Sequence, residues 1–80
     1  MNNKQIIKRA KELGYMATEI KDRVYLYKHI QEKDLLGEID LIFENGKYVC
    51  NQVKTFWDNM KMSTKMMSIT WSDIKKIKGE

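Results

Sequence analysis

The chain has 80 residues, enough for one domain around one core and too few for two. With 42% apolar residues, four glycines and no proline, it can bury a modest core and has no linker-like tract, which sets disorder aside. The formal charge of +4 permits contact with phosphates and excludes an acidic mimic of nucleic acid.

Cys50 is the single cysteine, so no intramolecular disulfide can form. Secreted domains of this size usually carry several, so the expected compartment is reducing and the protein reads as cytoplasmic. The opening MNNKQIIKRAKELGY has no apolar run long enough for a signal peptide or a membrane span. One small core stabilises a domain only modestly, so a homodimer or a protein partner is an expectation.

Residues 3–13 read as a helix. Ile6, Ile7, Ala10 and Leu13 recur at helical spacing on one side, and Gly14 supplies a stop. Lys4, Lys8 and Lys11 lie on another side with Arg9 nearby. They are either a solvated surface or a stripe that meets phosphates, and the sequence leaves both open.

Tyr15–Ile20 and Arg23–Ile30 read as strands joined by the turn-like Lys21-Asp22. In the second, Val24, Leu26 and Lys28 alternate with Tyr25, Tyr27 and His29. Gln31–Leu35 reads as a charged connection. Gly37–Glu44 and Lys47–Lys54 are strand-like runs around Asn45-Gly46, the strongest short hairpin signal available.

Beyond Lys54 the pattern is poorer. Phe56-Trp57 opens an irregular stretch, and Lys65–Thr70 reads as a short strand. Thr70 with Asp73 resembles a capping box that starts a helix with Trp71, Ile74 and Ile77 on its buried side. Met60, Met62, Met66 and Met67 crowd this region as core filling or as an adaptable contact surface. The expected fold is α/β: a helix, a mixed or antiparallel sheet with a central hairpin, and a C-terminal helix, all in one domain spanning residues 1–80.

The hairpin carries the chemistry. A carboxylate on one strand and an acceptor on its neighbour can hold a divalent cation between them, and a lysine two residues past the acceptor projects from the same side. Asp40, Gln52 and Lys54 fill those places, and Glu38, two before Asp40, shares its side. This works only in one register. A tight Asn45-Gly46 loop would put Asp40 opposite Asn51 and turn Gln52 and Lys54 away. A three-residue loop with Gly46 left-handed pairs Phe43 with Lys47 and Asp40 with Cys50, and gathers the four polar residues on one face; a bulge nearby restores the same parity. The three-residue loop also gathers Ile39, Leu41, Phe43, Val49 and Val53 on the other, so it gives the expected register. His29 stands alone among histidines and reads as structural or surface-exposed. Cys50 has no base in view and does not read as a nucleophile.

From Gly37 to Thr55 the residues are GEIDLIFENGKYVCNQVKT. This stretch resembles the metal-binding hairpin of the PD-(D/E)xK nuclease superfamily, above all its Holliday-junction-resolvase-like and restriction-endonuclease-like branches. Members there often show GEIDLI, a glycine turn, and a strand ending in EVKT or QVKT. Leu13-Gly14-Tyr15 and Arg23 fit the lead-in of those branches. The resemblance implies a minimal restriction-endonuclease-like core that binds Mg²⁺ through Asp40, Gln52 and Glu38. It implies catalysis by Asp40, Gln52 and Lys54, and DNA contacts through Lys4, Lys8, Arg9 and Lys11. The family's first-helix glutamate would align near Asn3, where this chain has none. The other expectation is a non-catalytic module that keeps the hairpin and binds a protein or nucleic acid, as accessory proteins of phages and mobile elements do. In it, the methionine-rich C-terminal region is the expected contact for a partner.

Overall fold

The first helix, α1 (Asn3–Glu12), is fixed at both ends by side chains and turns that the chain itself supplies. Asn2 caps it by accepting from the Gln5 backbone N–H at 2.9 Å, and Gln5 Oε1 accepts from the Asn2 N–H in return. At the other end Gly14 takes φ +94°. The Gly14 N–H donates to Lys11 and the Tyr15 N–H to Ala10, the paired bonds of a Schellman stop.

In the computed structural model, which describes residues 1–32, 35–55 and 60–80, four strands follow. They are β1 (Met16–Ile20), β2 (Arg23–Glu32), β3 (Leu35–Glu44) and β4 (Lys47–Thr55), and the chain closes with α2 (Met60–Lys78). The sheet is an antiparallel meander in the order β1-β2-β3-β4. The expected α/β architecture is therefore present, with the antiparallel form of the sheet. The expected connection over Gln31–Leu35 is shorter than its charge suggests. Gln31 and Glu32 pair with Leu36 and Leu35, so the two strands take in Gln31, Glu32 and Leu35, and residues 33 and 34 lie outside the described residues.

Both helices pack on one face of the sheet. Val24, Leu26, Ile39, Leu41 and Phe43 point toward them and are buried with Ile6 and Ala10 of α1 and Met66, Ile74 and Ile77 of α2. Each large apolar side chain so buried stabilises the fold by about 1.5–3 kcal/mol. The alternating residues of β2, β3 and β4 point the other way, onto a face that no described element covers.

The C-terminal expectation needs correction. Lys65–Thr70 is not a strand, and Thr70 does not begin a helix, because both lie inside the continuous α2. Thr70 is buried and donates from Oγ1 to the Met66 carbonyl at 2.7 Å, a bond within the helix that removes its need for a capping role. Trp71 is 48% exposed, off the buried side that Ile74 and Ile77 occupy. Its ring meets Tyr48 with centroids 6.2 Å apart. Met66 is core filling, whereas the expectations at Phe56, Trp57 and the side chains of Met60 and Met62 lie outside the described residues.

Asp73 spends its carboxylate on the far side of the core. Its Oδ2 accepts from the Tyr15 hydroxyl at 2.8 Å and from Lys28 Nζ at 2.6 Å. Lys28 also donates to the Leu13 carbonyl at 3.2 Å and lies 4.5 Å from the Tyr15 ring centroid. Burial first, then the hydrogen bond and charge of Asp73, hold the Tyr15 hydroxyl protonated well above the usual tyrosine range. This group joins the end of α1, β2 and α2.

Candidate functional site

The β3–β4 hairpin turns at Asn45 and Gly46, with φ +51° and +79°. Two left-handed residues in succession are what a tight hairpin turn requires, and glycine tolerates the second freely. A side chain at Gly46 would also strike the Met1 carbonyl. The turn therefore has two residues, so the three-residue loop does not form and the parity falls to the other expected device, a bulge nearby. Phe43 pairs with Tyr48, as the tight turn dictates.

The parity is then restored one step further on. The register shifts at Ile42/Phe43, and Ile42 pairs with Cys50, which leaves Val49 as an extra residue in β4. From there Asp40 pairs with Gln52 and Glu38 with Lys54. The expected pairing of Asp40 with Cys50 is corrected by two positions, yet Glu38, Asp40, Gln52 and Lys54 still share one face. Val49 gives up the buried place expected of it and is 42% exposed. Tyr48 packs against the core instead, with its ring edge-on to Phe43.

On this face Glu38 is the most connected side chain. His29 Nε2 lies 2.8 Å from Glu38 Oε1, and Lys54 Nζ lies 3.8 Å from Oε2. Hydrogen bonds from His29 and Asp40, then the Lys54 charge, hold the Glu38 carboxyl below its usual range. Asp40 moves the other way. Partial burial, the hydrogen bond with Glu38 and the Glu38 charge raise it, so Asp40 keeps the proton of the pair the longer. A shallow hollow of about 320 Å³ adjoins them, lined by Asp40, Ile42, Cys50, Asn51 and Gln52.

Two carboxyl groups side by side, one raised by the charge of the other, repel each other, and a divalent cation between them would relieve that repulsion. Among the described residues no three His, Cys, Asp or Glu side chains form a metal-binding group. The protein offers two carboxylates and the Gln52 amide oxygen. That suits Mg²⁺, which keeps several waters and takes one or two carboxylates with phosphate oxygens, better than it suits zinc.

Other expected site residues lie elsewhere. Because α1 packs on the helix-covered face, Lys4, Lys8 and Lys11 stand across the sheet from Asp40 and do not form one surface with it. They are exposed and border a separate hollow of about 470 Å³ with Gln5 and Ile7. Arg9 binds inward, donating to the Ile77 carbonyl at 3.1 Å, and so ties α1 to the end of α2. Asn3, the position nearest a first-helix glutamate, accepts from the Gly46 N–H at 2.9 Å and donates to the Asp22 carbonyl at 3.0 Å. It holds two turns together.

Two neighbours of the site were not expected. Tyr27 pairs with Asp40, and His29 pairs with Glu38, across the β2–β3 ladder. The alternation of β2 signalled that Tyr25, Tyr27 and His29 share a face. Only the register could show that this face is the one bearing the carboxylates.

No family model, curated protein or solved structure matches the chain. No helix among the described residues is long and apolar enough to cross a membrane.

Proposed function

We propose that the protein is a small metal-dependent nuclease that hydrolyses phosphodiester bonds in DNA, with Mg²⁺ held by Asp40, Gln52 and Glu38. The observation that supports this reading is the bulge at Val49, which brings Asp40 opposite Gln52 with Lys54 on the same face. A bound Mg²⁺ would neutralise the scissile phosphate and acidify a coordinated water. Asp40 supplies a carboxylate at the hollow, and Gln52, its cross-strand partner there, supplies an amide oxygen. Lys54 places an ammonium where charge develops on the phosphoryl oxygens. Hydrolysis joins a water oxygen to phosphorus and breaks one bridging P–O bond, whose oxygen leaves with a proton.

A second reading, a non-catalytic binding module, is favoured by a different observation. Glu38 is already balanced by His29 and Lys54, and α1 stands on the wrong side of the sheet to contribute a further carboxylate. One experiment separates the two. Supercoiled and branched DNA are incubated with the protein across Mg²⁺ and Mn²⁺ titrations, and Asp40→Asn is run alongside after circular dichroism confirms its fold. The nuclease reading expects cleavage by wild type and none by the variant. Absence of cleavage by wild type, or equal cleavage by both, makes the protein a binding module.

A further inference from the structure

β2 and β3 are the inner strands of the sheet, and their outward side chains form two parallel columns on the uncovered face. The β3 column holds Glu38 and Asp40. The β2 column holds Tyr25, Tyr27 and His29, with Tyr27 39% exposed beside Asp40 and the His29 side chain 64% exposed. The rings of Tyr27 and His29 already meet edge-on, with centroids 6.0 Å apart. Tyr27 and His29 therefore stand one strand spacing, about 4.8 Å, from the candidate metal ligands.

An open sheet with rings on an inner strand presents flat π-surfaces to solvent, and every nucleic-acid base has a π-face to stack on them. Bases paired in a duplex are already stacked and turn only their edges outward, so they cannot use such a surface. Lys47 and Lys54 rise from β4 beside the acidic column, where a strand's phosphates can reach them. On the face itself Arg23 is matched by Glu44 at 3.1 Å and Lys54 by Glu38, so stacking contributes more than phosphate contacts.

We infer that the uncovered sheet face binds single-stranded nucleic acid, with bases stacked on Tyr25, Tyr27 and His29 and the backbone passing over Asp40. The inference rests on the nuclease reading only for what happens after binding, and it names that reading's substrate as a single strand. Binding is measured in EDTA, so that cleavage cannot intervene, by fluorescence anisotropy of a short labelled oligothymidylate and of a duplex of equal length. The single strand binds about tenfold or more tighter than the duplex, Tyr27→Ala weakens it about tenfold, and Tyr27→Phe restores it. Replacing Lys4, Lys8 and Lys11 together by alanine leaves single-strand binding within about twofold, because they lie across the sheet from the rings. Equal binding of duplex and single strand, wild-type affinity in Tyr27→Ala, or no binding at low salt each overturns the inference. The two proposals fail separately. A protein that binds single strands through Tyr27 and never cleaves refutes only the nuclease reading. One that cleaves while Tyr27→Ala binds normally refutes only this inference.

Discussion

Asp40 and Gln52 are direct cross-strand neighbours because Val49 bulges out between Tyr48 and Cys50. The tight turn alone fixes Phe43 opposite Tyr48, and the bulge absorbs the one residue that separates this pairing from the next. Deleting Val49 should therefore give a regular hairpin with Ile42 still opposite Cys50 and Asp40 still opposite Gln52. Cross-strand NMR contacts between residues 40 and 52 should persist, with stability changed by no more than about 1 kcal/mol. Loss of those contacts in a folded variant would mean that another residue is the extra one.

The charges of the hairpin set the expected behaviour of two further variants. Gln52→Glu places a formal negative charge beside Asp40 and should tighten Mg²⁺ binding, at the cost of raising Asp40 further in the metal-free protein. Isothermal titration with Mg²⁺ and Mn²⁺ reads this directly, and unchanged affinity would remove Gln52 from the proposed ligand set. Lys54→Ala should slow cleavage about a hundredfold while metal affinity holds or rises, because the lost group acts on the phosphate and not on the cation.

Beneath the sheet, Lys28 and Asp73 are both largely buried, with side chains 14% and 7% exposed. Asp73→Ala strands the Lys28 charge and leaves the Tyr15 hydroxyl without its acceptor, so it should cost about 3–5 kcal/mol in urea unfolding. Lys28→Met combined with Asp73→Asn removes both charges and keeps an acceptor for Tyr15. Most of the lost stability should return in that double variant. A double variant as unstable as Asp73→Ala would show that the ion pair, beyond its hydrogen bonds, is required.

Tyr15 gives the fold an alkaline limit. Its hydroxyl titrates higher in the folded protein than in the unfolded chain, so below about pH 10 both states hold the proton and its contribution is fully present. Above that, the unfolded chain ionises first, and stability falls by at most about 1.4 kcal/mol per pH unit until the folded state also titrates. Tyr15→Phe should be less stable at neutral pH but should lose this one-proton slope. Urea midpoints measured between neutral pH and pH 11 provide the check, and an unchanged slope in the variant would assign the alkaline loss to other groups.

How much of this could be read from the chain alone followed the range of the interactions. The Asn45-Gly46 turn, the Gly14 stop and the alternation in β2 are local, and each stands where the sequence places it. The shared face of Asp40, Gln52 and Lys54 was legible because the apolar residues Ile39, Leu41, Phe43 and Val53 had to face the core. Which of the two possible devices achieves it was not. A longer loop and a bulge give the same parity, and Tyr48 and Val49 look equally suited to the buried place. The polar cap reading at Thr70 and Asp73 failed for a physical reason. Capping residues are recognised by hydrogen-bonding capacity, and here Lys28 and Tyr15, distant in sequence, claim the Asp73 carboxylate. The position of α1 relative to the carboxylates likewise depends on which face the helices cover, and no local pattern encodes that.

The bulge at Val49 has a second effect, on what the protein does in crowded solution. β4 is a border strand of the sheet, and among the described residues no strand pairs with its outer rim of backbone N–H and C=O groups. A flat nine-residue border would invite end-to-end growth of the sheet from one molecule to the next. The extra residue twists that rim and breaks its spacing, and Lys47 and Lys54 set like charges near its two ends. The irregularity that aligns Asp40 with Gln52 thus also makes this border a poorer template for a neighbouring sheet.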